Sequence, residues 1–461
     1  MSIIAGYMVP HPPIAVAEIG RGEEKAIQPT IDSYREVARD IASLKPDTII
    51  LTSPHSVMYS DYLHISPGKR AKGDFGQFRA PDVRFEETYD KELVERLADK
   101  CALLGFPAGT AGARNPDLDH GTMVPLYFVE KEYKDFKLVR VSLSGLPLKD
   151  HYRLGMLIRE TAAELSRRAV FIGSGDLSHC QRESGPYGYK PEGPRYDDRI
   201  MDVMGRGDFG ELFDFDGNFL EKAEECGHRS FVIMAGAFDR RAVSVKKLSH
   251  ESTFGVGYGF CIYHPEGEDE SRNFLEKFEE KEEKRLSEQR AKEDAYVQLA
   301  RKTVESYIRY RKVPEVPEDL PEEMYRTSAG TFVSIHKDGA LRGCIGTISA
   351  ICDNVAEEII RNAISASTRD PRFLEIEPKE LPYLEITVDV LGDTEPIASK
   401  DLLDVKRYGV IVTNGMRRGL LLPNLDGVDT VDEQIDIARR KAGIRPEEEV
   451  ELERFEVVRH Y

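Results

Sequence analysis

Short apolar segments alternate with longer amphipathic segments from Ser2 to about His264. The short segments have strand-like composition, and the longer ones repeat their apolar residues at helical spacing with charge on the outer face. This alternation predicts an α/β domain with a mostly parallel central sheet. The strand-like segments are SIIAGYMV, DTIILTSP, KLVRVSLSG and AVFIGSG, and the helical segments are IDSYREVARDIASL, DKELVERLADKCALLG and HYRLGMLIRETAAELSRR.

The composition changes abruptly at Pro265. Charged residues and helix formers dominate the segment after this proline, which predicts a charged helical linker over 266–294. Strand patterns then return: GTFVSIHKDGALRGCIGTI predicts a hairpin, VDEQIDIARRKAGI a helix closed by Gly443, and ELERFEVVRHY a terminal strand. We therefore expect an α/β domain over 1–265 and an α+β domain over 295–461.

Bulk composition argues against several classes of protein. A formal net charge of -18 repels phosphates, so we expect neither nucleic acid nor an anionic membrane as a partner. No apolar run is long enough to span a bilayer, and the start MSIIAGYMVPHPP lacks the pattern of a signal peptide. The six cysteines show no CxxC pair, which favours free thiols in a reducing cytoplasm over disulfides or a zinc ribbon.

Histidines follow the predicted strands of the first domain. His11 follows the first strand, His55 follows the second, and His120 precedes an apolar segment. His179 ends the motif SGDLSH, three residues after Asp176. A single histidine at a strand end is more often structural than a ligand, but four at equivalent depth indicate a common site, because ligands gather at the carboxyl ends of parallel strands.

The chemistry of these side chains indicates a metal site with an acid or base beside it. Neutral imidazole suits iron, zinc or copper, and a mononuclear iron(II) site needs two histidines and one carboxylate on one face. Glu251, just before a glycine-rich strand, offers the carboxylate, and the adjacent His250 is the alternative third ligand. We expect the pair at the end of SGDLSH to supply an acid–base group.

The motifs PHPP, SPHS, DHG and SGDLSH, in this order and followed by CGHRSFVIMAGA, resemble the LigB superfamily of class III extradiol ring-cleaving dioxygenases. The resemblance is closer to the Memo branch of that superfamily and covers roughly residues 1–265. It implies an oxidoreductase with non-haem iron(II) held by His11 and His55, with Glu251 near the carboxylate ligand; zinc and copper stay alternatives. Memo proteins also use a cysteine, which the segment LSHESTFG lacks, so Glu251 and His250 both stay open as the third ligand.

The same resemblance implies the catalytic residues. His179 matches the histidine that accepts the proton of the substrate hydroxyl. His120 matches a second histidine, which acts as an acid or steadies the oxygen intermediate. Asp176 lies beside His179 in the motif, and both stay open as additional ligands because their equivalents in Memo proteins can lie close to the metal.

The segments LRGCIG, DPRF, ELPYLEITVDVL and GVIVTNGMRRGLLLP resemble the AMMECR family over about 296–461, which implies an α+β domain. Arg342 is suited to carboxylate or phosphate, and Cys344 is a candidate nucleophile if Arg342 stabilises its thiolate. A buried strand cysteine is the structural alternative. Asp370 and Arg372 either pair within a turn or, if Arg372 and Arg342 face one cleft, contribute to an anion site.

Prokaryotic members of these two families are recognised together with a radical SAM protein as the AmmeMemoRadiSam set, and this chain resembles a fusion of two of the three. It lacks a CxxxCxxC triad, so a radical SAM protein would be a separate partner. The leading hypothesis is a metal-dependent, dioxygenase-like enzyme that acts on a small aromatic substrate. A non-catalytic metal-binding scaffold for the radical SAM protein and a metal-dependent hydrolase or lyase are the alternatives.

Overall fold

The computed structural model describes residues 2–114, 117–425 and 427–461. The chain divides into two compact units, Met1–Glu280 (unit 1) and Lys281–Tyr461 (unit 2). Within the described residues, no helix has the length and apolar character needed to cross a membrane.

Strands and helices alternate along unit 1 as the sequence predicts. The strands are β1 (Ile3–Val9), β2 (Thr48–Ser53), β3 (Leu63–His64), β4 (Arg70–Phe75), β5 (Ala80–Thr88), β6 (Ala108–Gly109), β7 (Lys137–Ser142), β8 (Ala169–Ser174), β9 (Arg241–Glu251) and β10 (Tyr258–Glu268). The helices are α1 (Ala17–Gly20), α2 (Gln28–Leu44), α3 (Lys91–Leu103), α4 (His120–Val129), α5 (Leu148–Glu164), α6 (Glu192–Arg206), α7 (Gly217–Ala223) and α8 (His228–Gly236).

A six-stranded sheet in the order β7-β2-β8-β1-β10-β9 forms the centre of unit 1. The first four strands in this order are parallel, whereas β10 runs antiparallel to β1 and β9 antiparallel to β10. The strands predicted from apolar segments are β1, β2, β7 and β8. The prediction of an α/β domain with a mostly parallel sheet is therefore confirmed, with an antiparallel hairpin at one edge.

Successive residues of the central strands enter two different hydrophobic cores. On β8, Phe171 packs into one core, while Val170 and Ile172 pack into the other. Since strand side chains alternate between faces, the two cores lie on opposite faces of the sheet. Helices α3, α5, α6 and α8 cover one face, and α2 and α4 cover the other. Burial on both faces explains why these strands are continuous apolar runs.

Helices α5 and α8 cross at closest approach through a pair of glycines. A Cβ atom on Gly155 would lie 1.9 Å from the Ile233 carbonyl oxygen, and one on Gly236 would lie 1.9 Å from the Tyr152 carbonyl oxygen. Both neighbours are backbone atoms, which cannot move aside as a flexible side chain can. Glycine at these positions therefore sets the distance between α8 and α5.

The segment predicted as a charged linker, 266–294, contains the whole of α9 (Phe274–Arg290). The first turns of α9 pack on unit 1, where Phe278 stacks on Phe213 with ring centroids 4.5 Å apart. The division between the units falls after Glu280, inside this helix.

Unit 2 contains two antiparallel four-stranded sheets. Its helices are α10 (Ala295–Tyr310), α11 (Glu322–Arg326), α12 (Val355–Thr368) and α13 (Val431–Ala442). Its strands are β11 (Thr331–Lys337), β12 (Ala340–Gly346), β13 (Leu384–Leu391), β14 (Glu395–Ile397), β15 (Gly409–Asn414), β16 (Arg417–Leu421), β17 (Glu451–Phe455) and β18 (Val457–His460). The sheet orders are β12-β11-β13-β18 and β14-β17-β15-β16.

Each sheet of unit 2 buries one face against helices. Helices α10 and α12 pack on the first sheet, and α13 packs on the second. The expected α+β class is confirmed. The segment ELERFEVVRHY, predicted as one terminal strand, forms two strands that pair in different sheets, because the chain passes from one sheet to the other at Glu456.

The predicted hairpin of LRGCIG is present as β11 and β12. Its two turn residues, Asp338 and Gly339, have φ angles of 53° and 77°, as a tight two-residue turn requires. Residue Gly343 pairs with Ile335 and Leu341 pairs with the next residue of β11, so Arg342 is an extra residue in the ladder. This β-bulge turns the Arg342 side chain away from the regular alternation of β12.

We predict that Gly155→Ala lowers the free energy of unfolding of unit 1 by about 3 kcal/mol, because the added methyl group overlaps backbone atoms of α8. Urea denaturation of the full chain, with hydrogen exchange of unit 1 peptides to locate the change, measures this. Gly217→Ala is the matched control, since a Cβ there meets nothing within 4 Å. If the two variants had the same free energy of unfolding, α5 and α8 would be able to move apart without loss of stability, contrary to the prediction.

Candidate functional site

Three histidines of unit 1 meet at the carboxyl ends of neighbouring strands. His11 lies two residues after β1, and His55 lies two residues after β2. His120 is the first residue of α4, whose N-terminus is capped by the Asp119 carboxylate accepting from the Thr122 N–H. Because β2, β8 and β1 are adjacent and parallel, their carboxyl ends form one edge, where the sequence predicts a site.

The imidazole rings are in direct contact. The Nε2 atoms of His11 and His55 lie 3.0 Å apart, with ring centroids separated by 4.8 Å. The His120 ring lies 4.0 Å from that of His55 and 5.4 Å from that of His11, measured between centroids. His11 is fully buried, whereas His55 is exposed. The cluster therefore has a closed inner side and an open outer side.

Hydrogen bonding assigns the tautomer of His11. Its Nδ1 lies 2.9 Å from Ser174 Oγ, and the Ser174 hydroxyl donates its one proton to the Gly121 carbonyl oxygen over 2.6 Å. Ser174 Oγ can therefore only accept from His11, so the His11 proton resides on Nδ1. The Nε2 lone pair is left facing His55, which is the form that a metal requires.

Cys226 adds a thiol to this pair of imidazoles. Its Sγ lies 3.6 Å from His11 Nε2, and the Asp176 N–H donates to it over 3.3 Å. One ligand atom from each of His11, His55 and Cys226 falls within 4.8 Å of the others, the arrangement of a candidate metal site. Cys226 lies in the loop before α8, so the glycine crossing of α5 and α8 also positions this thiol.

Asp176 supports the cluster from the loop after β8. Its Oδ1 accepts the His11 backbone N–H over 2.7 Å, and its Oδ2 lies 4.0 Å from His11 Nε2. Burial raises the pKa of Asp176, while the nearby histidines, His179 most of all, lower it. The expectation that Asp176 lies close to the metal residues agrees with this placement.

His179 lies half-buried in the same loop. Its Nδ1 is in hydrogen-bond contact with the Glu224 carbonyl oxygen, which also accepts the His179 backbone N–H over 3.4 Å. Since a carbonyl oxygen only accepts, the ring proton resides on Nδ1 and Nε2 carries the lone pair. His179 also interacts electrostatically with His11 and His55. His179 therefore lies in the neighbourhood of the three contacting rings.

The environment keeps the three contacting rings neutral. Burial, with His55 and His120, holds the pKa of His11 well below its usual value. Burial also lowers the pKa of His55, and burial with His55 lowers that of His120 to about 4. Neutral imidazole is the form that coordinates metals, so the electrostatics fit a metal site near neutral pH.

Two aromatic rings flank the histidines. The Phe78 ring packs edge-on against His120 with centroids 5.5 Å apart, and the Tyr187 ring lies 5.2 Å from that of His179. Tyr187 is 57% exposed and Phe78 is half-buried. An aromatic ring thus lies against each of these two histidines.

The structure does not bring Glu251 or His250 to the histidine cluster. The Glu251 carboxylate accepts from the Thr30 N–H and hydroxyl over 3.0 and 2.7 Å and from the Thr253 hydroxyl over 2.9 Å. His250 Nε2 lies 3.0 Å from Asp197 Oδ2. Both residues lie at the end of β9, which β10 separates from β1. The structure therefore contradicts the expectation of Glu251 or His250 as third ligand, and Cys226 is the candidate in their place.

The sequence does contain a signal for this cysteine. Cys226 is the first residue of CGHRSFVIMAGA, the helical segment that contributes to the LigB resemblance. The resemblance alone directs attention to the segment around Glu251, which has no cysteine. Cys226 instead belongs to the loop before α8, which is distant from His11 and His55 along the chain. Strand and helix patterns do not specify that this loop reaches the two histidines.

In unit 2, Arg342 is committed to a buried carboxylate. It forms a bidentate pair with Glu380, with Nη2–Oε1 and Nε–Oε2 distances of 2.9 and 3.0 Å. Its remaining donors bind the carbonyl oxygens of Leu374 and Glu375 over 2.7 and 3.2 Å. The hypothesis that Arg342 stabilises the Cys344 thiolate is therefore wrong, because the bulge directs Arg342 to the 374–380 loop.

Asp370 and Arg372 pair with each other and with the backbone of Cys344. Arg372 Nε and Nη2 donate to the two Asp370 oxygens over 2.9 and 2.7 Å. Asp370 also accepts the Cys344 N–H over 2.9 Å, and Arg372 donates to the Cys344 carbonyl oxygen over 3.2 Å. The side chains of the DPRF turn thus bind backbone groups of Cys344 at the edge of β12, where a further strand would otherwise pair.

Imidazoles at the carboxyl ends of parallel strands, with a thiol from the loop before α8, define an α/β protein with a candidate metal site. The family model described as the catalytic LigB subunit of aromatic ring-opening dioxygenase matches residues 5–261, and that of AMMECR1 matches residues 297–460. The chain belongs to the LigB family, with an AMMECR1 domain fused after the LigB domain. Metal dependence is typical of LigB proteins and agrees with the His11, His55 and Cys226 cluster.

Relatives of the chain occur in bacteria and archaea. A Clostridium acetobutylicum protein is 42% identical over 468 aligned residues, which cover 100% of this chain and 99% of that protein. A Thermotoga maritima protein is 52% identical over 171 residues, covering 36% of this chain and 98% of that protein. The crystal structure of a Pyrococcus horikoshii protein is 32% identical, covers 36% of this chain and 88% of that one, and has a TM-score of 0.34.

We predict that Glu380→Gln destabilises unit 2 at pH 7 by about 3 kcal/mol. Burial alone would raise the pKa of Glu380, but Arg342, the Glu377 N–H and Lys337 together lower it to about 2. A carboxyl with a lowered folded-state pKa contributes stability that is fully present above its unfolded pKa and is lost as pH falls through its folded pKa. The difference from wild type should therefore disappear progressively between about pH 4.5 and 2.

Urea denaturation at pH 7 and pH 3, with hydrogen exchange of unit 2 peptides, measures this difference. Glu377→Gln is the control, because that exposed carboxylate pairs only with the exposed Lys379 among the ion pairs of the described chain. A Glu380→Gln variant whose stability difference from wild type is the same at both pH values would contradict the prediction.

Proposed function

We propose that unit 1 is a metal-dependent oxidoreductase of the ring-opening dioxygenase type that acts on a small aromatic substrate. The observation that carries this proposal is the convergence of His11 Nε2, His55 Nε2 and Cys226 Sγ within 4.8 Å, beside two further histidines. The matching LigB family model supports the reaction class.

The donor set fits a first-row transition metal. His11 presents a lone pair fixed by Ser174, and Cys226 accepts the Asp176 N–H. Burial and the Asp176 and Glu225 carboxylates raise the pKa of the Cys226 thiol, so a metal ion would have to displace its proton on binding. Two imidazoles with one further anionic ligand leave open positions, as in iron(II) oxygenases. We propose iron(II) as the metal. A thiolate in place of a carboxylate also suits copper and zinc, which makes them the alternatives to be tested.

Because His55 is exposed, we expect the substrate to approach from the His55 side of the site. The inner side is closed by His11 and by Asp176, which holds the His11 backbone. When bound, an iron(II) ion supplies Lewis acidity and electrons for oxidation of an aromatic ring. The residues around it hold the ligands in place before any substrate binds, so little rearrangement is needed.

His179 has the arrangement of a general base. The Glu224 carbonyl oxygen fixes its proton on Nδ1, which leaves the Nε2 lone pair free to accept a hydroxyl proton from a phenolic substrate. His120, whose pKa is about 4, is neutral near pH 7 and lies against His55. It is placed to orient a substrate oxygen by hydrogen bonding rather than by charge.

The flanking aromatic rings support a flat, aromatic substrate. Phe78 packs against His120, and Tyr187 packs against His179. Aromatic rings favour offset-stacked or edge-on partners, so a small catechol-like ring would be held between them with its hydroxyl groups toward the metal ligands.

A role with a separate radical SAM protein stays a prediction. We propose that unit 2 recruits that partner or positions substrate, an idea that rests on the family resemblance alone. Co-purification of the full chain with a radical SAM protein of the same organism, compared with the chain lacking residues 281–461, would test it.

We predict that anaerobically purified protein binds about one iron(II) ion per chain and that His55→Ala and Cys226→Ser each abolish this binding. His55 is exposed, so its removal should spare folding. Metal analysis after anaerobic loading with iron, copper or zinc measures stoichiometry. Cobalt(II) titration gives a second readout, because a thiolate ligand produces a near-ultraviolet charge-transfer band that Cys226→Ser should lose.

His250→Ala and Glu251→Gln are the matched controls, and both should retain full metal content. Stoichiometric zinc with no affinity for iron would favour the hydrolase or lyase alternative. No metal binding by wild-type protein would contradict both the enzyme and the metal-binding scaffold, and loss of metal in Glu251→Gln but not in Cys226→Ser would reverse the assignment of the third ligand.

We predict that His179→Gln lowers turnover of a catechol substrate by about a hundredfold or more while metal content stays at the wild-type value. Glutamine keeps a polar side chain but cannot accept a proton. Oxygen consumption with a panel of catechols identifies the substrate, and the pH profile of kcat then separates loss of a base from loss of binding. Unchanged turnover in the variant would remove His179 from the chemistry.

A further inference from the structure

The His55 ring is oriented differently from those of His11 and His179. Ser174 binds Nδ1 of His11, and the Glu224 carbonyl oxygen binds Nδ1 of His179. In the part of the chain that the structure describes, no hydrogen bond reaches Nδ1 of the exposed His55. Its Nε2 lies 3.0 Å from His11 Nε2, but these are the two atoms that a metal would bind. Because ligating histidines are usually oriented through the other ring nitrogen, His55 needs a different support.

The backbone of His55 is held by Ser53, the last residue of β2. The His55 N–H donates to Ser53 Oγ over 3.2 Å. The Ser53 hydroxyl in turn donates to Asp119 Oδ1, since the carboxylate oxygen is the acceptor of this pair. Ser53 is fully buried, so solvent does not compete for either bond at the serine. These two hydrogen bonds form a relay from His55 to Asp119.

Asp119 is itself fixed at the start of α4, immediately before His120. Its Oδ1 accepts the Thr122 N–H and its Oδ2 accepts the Thr122 hydroxyl, each over 3.0 Å. Nη1 of Arg140, a residue that is 3% exposed, lies 3.7 Å from Asp119 Oδ2. A buried cation at this distance balances the charge of the carboxylate. The relay therefore ends on a group whose position relative to the first turn of α4 is defined.

Gly121 lets this first turn lie directly against the loop that carries His55. A Cβ atom on Gly121 would overlap Ser53 Oγ and would lie 3.4 Å from His55 Cδ2. One residue earlier, the His120 ring lies 4.0 Å from the His55 ring between centroids, with the ring planes inclined by 30°. The relay and this close packing thus act on the same pair of rings.

We propose that Ser53 and Asp119 are positioning residues that hold the His55 ring against His120 and so preorganise the exposed ligand of the metal site. The inference rests on the proposed metal-dependent function, but the arrangement of the two rings exists without a metal. Groups that orient a ligand from behind alter metal affinity by about 10- to 100-fold when they are removed.

The relay should leave the inner side of the site unchanged. Ser174 links His11 to the Gly121 carbonyl oxygen, and Cys226 belongs to the loop before α8. Neither connection passes through the side chain of Ser53. Loss of the relay is therefore expected to loosen one of the three candidate ligands and to leave the other two in place.

Two variants interrupt the relay from opposite ends. Ser53→Ala removes it from β2 and keeps the Asp119 cap and its Arg140 partner. Asp119→Ser shortens the other end, and serine caps a helix about as well as aspartate, so α4 should still form. Thr52→Val is the matched control, because the Thr52 hydroxyl is also fully buried on β2 but donates to the Ile172 carbonyl oxygen over 3.4 Å.

NMR of the metal-free full chain with labelled histidine side chains measures the ring contact directly. Wild type should show a nuclear Overhauser cross-peak between the His55 and His120 rings, assigned with His55→Ala and His120→Ala. Ser53→Ala and Asp119→Ser should lose or weaken this cross-peak, and Thr52→Val should keep it. No cross-peak in wild type, or an unchanged cross-peak in both relay variants, would overturn the proposal.

Cobalt(II) titration of the full chain tests the consequence for metal binding. The dissociation constant should rise about tenfold or more in Ser53→Ala and Asp119→Ser and stay at the wild-type value in Thr52→Val. The charge-transfer band from Cys226 should persist at saturation, because this thiol lies outside the relay. Unchanged affinity in both relay variants would contradict the proposal. If wild type binds no cobalt(II), the metal-dependent function fails, while the ring contact still decides whether the relay positions His55.

Discussion

The hydrogen bonds that pass from His11 through Ser174 to the Gly121 carbonyl oxygen organise the LigB domain. They join the residues after β1 and at the end of β8 to the first turn of α4. Each of these two hydrogen bonds has only one possible donor. The ring proton of His11 therefore lies on Nδ1, and Nε2 carries a lone pair. The lone pair faces His55 Nε2 and lies near the Cys226 sulfur. It can bind a metal because the ring cluster is neutral.

The sequence predicts the parts of this site that depend on local patterns. Apolar strands followed by histidines identify His11, His55 and His179 because the carboxyl ends of parallel strands meet whatever the loops do. The prediction of the third ligand is wrong for a related reason. Glu251 ends a strand too, but that strand lies two places from β1 on the antiparallel side of the sheet, and strand order is not visible in hydrophobic periodicity. Cys226 reaches the cluster through helix packing, which no local pattern describes.

Unit 2 shows the same division between what patterns specify and what they do not. The turn of the LRGCIG hairpin is predictable from its residues, yet alternation along the strand would place Arg342 and Cys344 on one face. A single extra residue in the ladder breaks that alternation and sends Arg342 to Glu380. Arg372, by its sequence a simple turn residue, binds the Cys344 carbonyl oxygen because Asp370 docks its turn along the edge of β12.

Exposure of one of the three candidate ligands has a consequence for the metal site that we propose in unit 1. A buried site exchanges its ion only when the fold opens, so the first ion captured during folding tends to be kept. Here His55 lies at the surface, while His11 is buried and Cys226 is half-buried. An ion bound in the proposed site would therefore be reachable by water and chelators without unfolding of unit 1. Which ion such a site would hold would then follow the metals available around the protein.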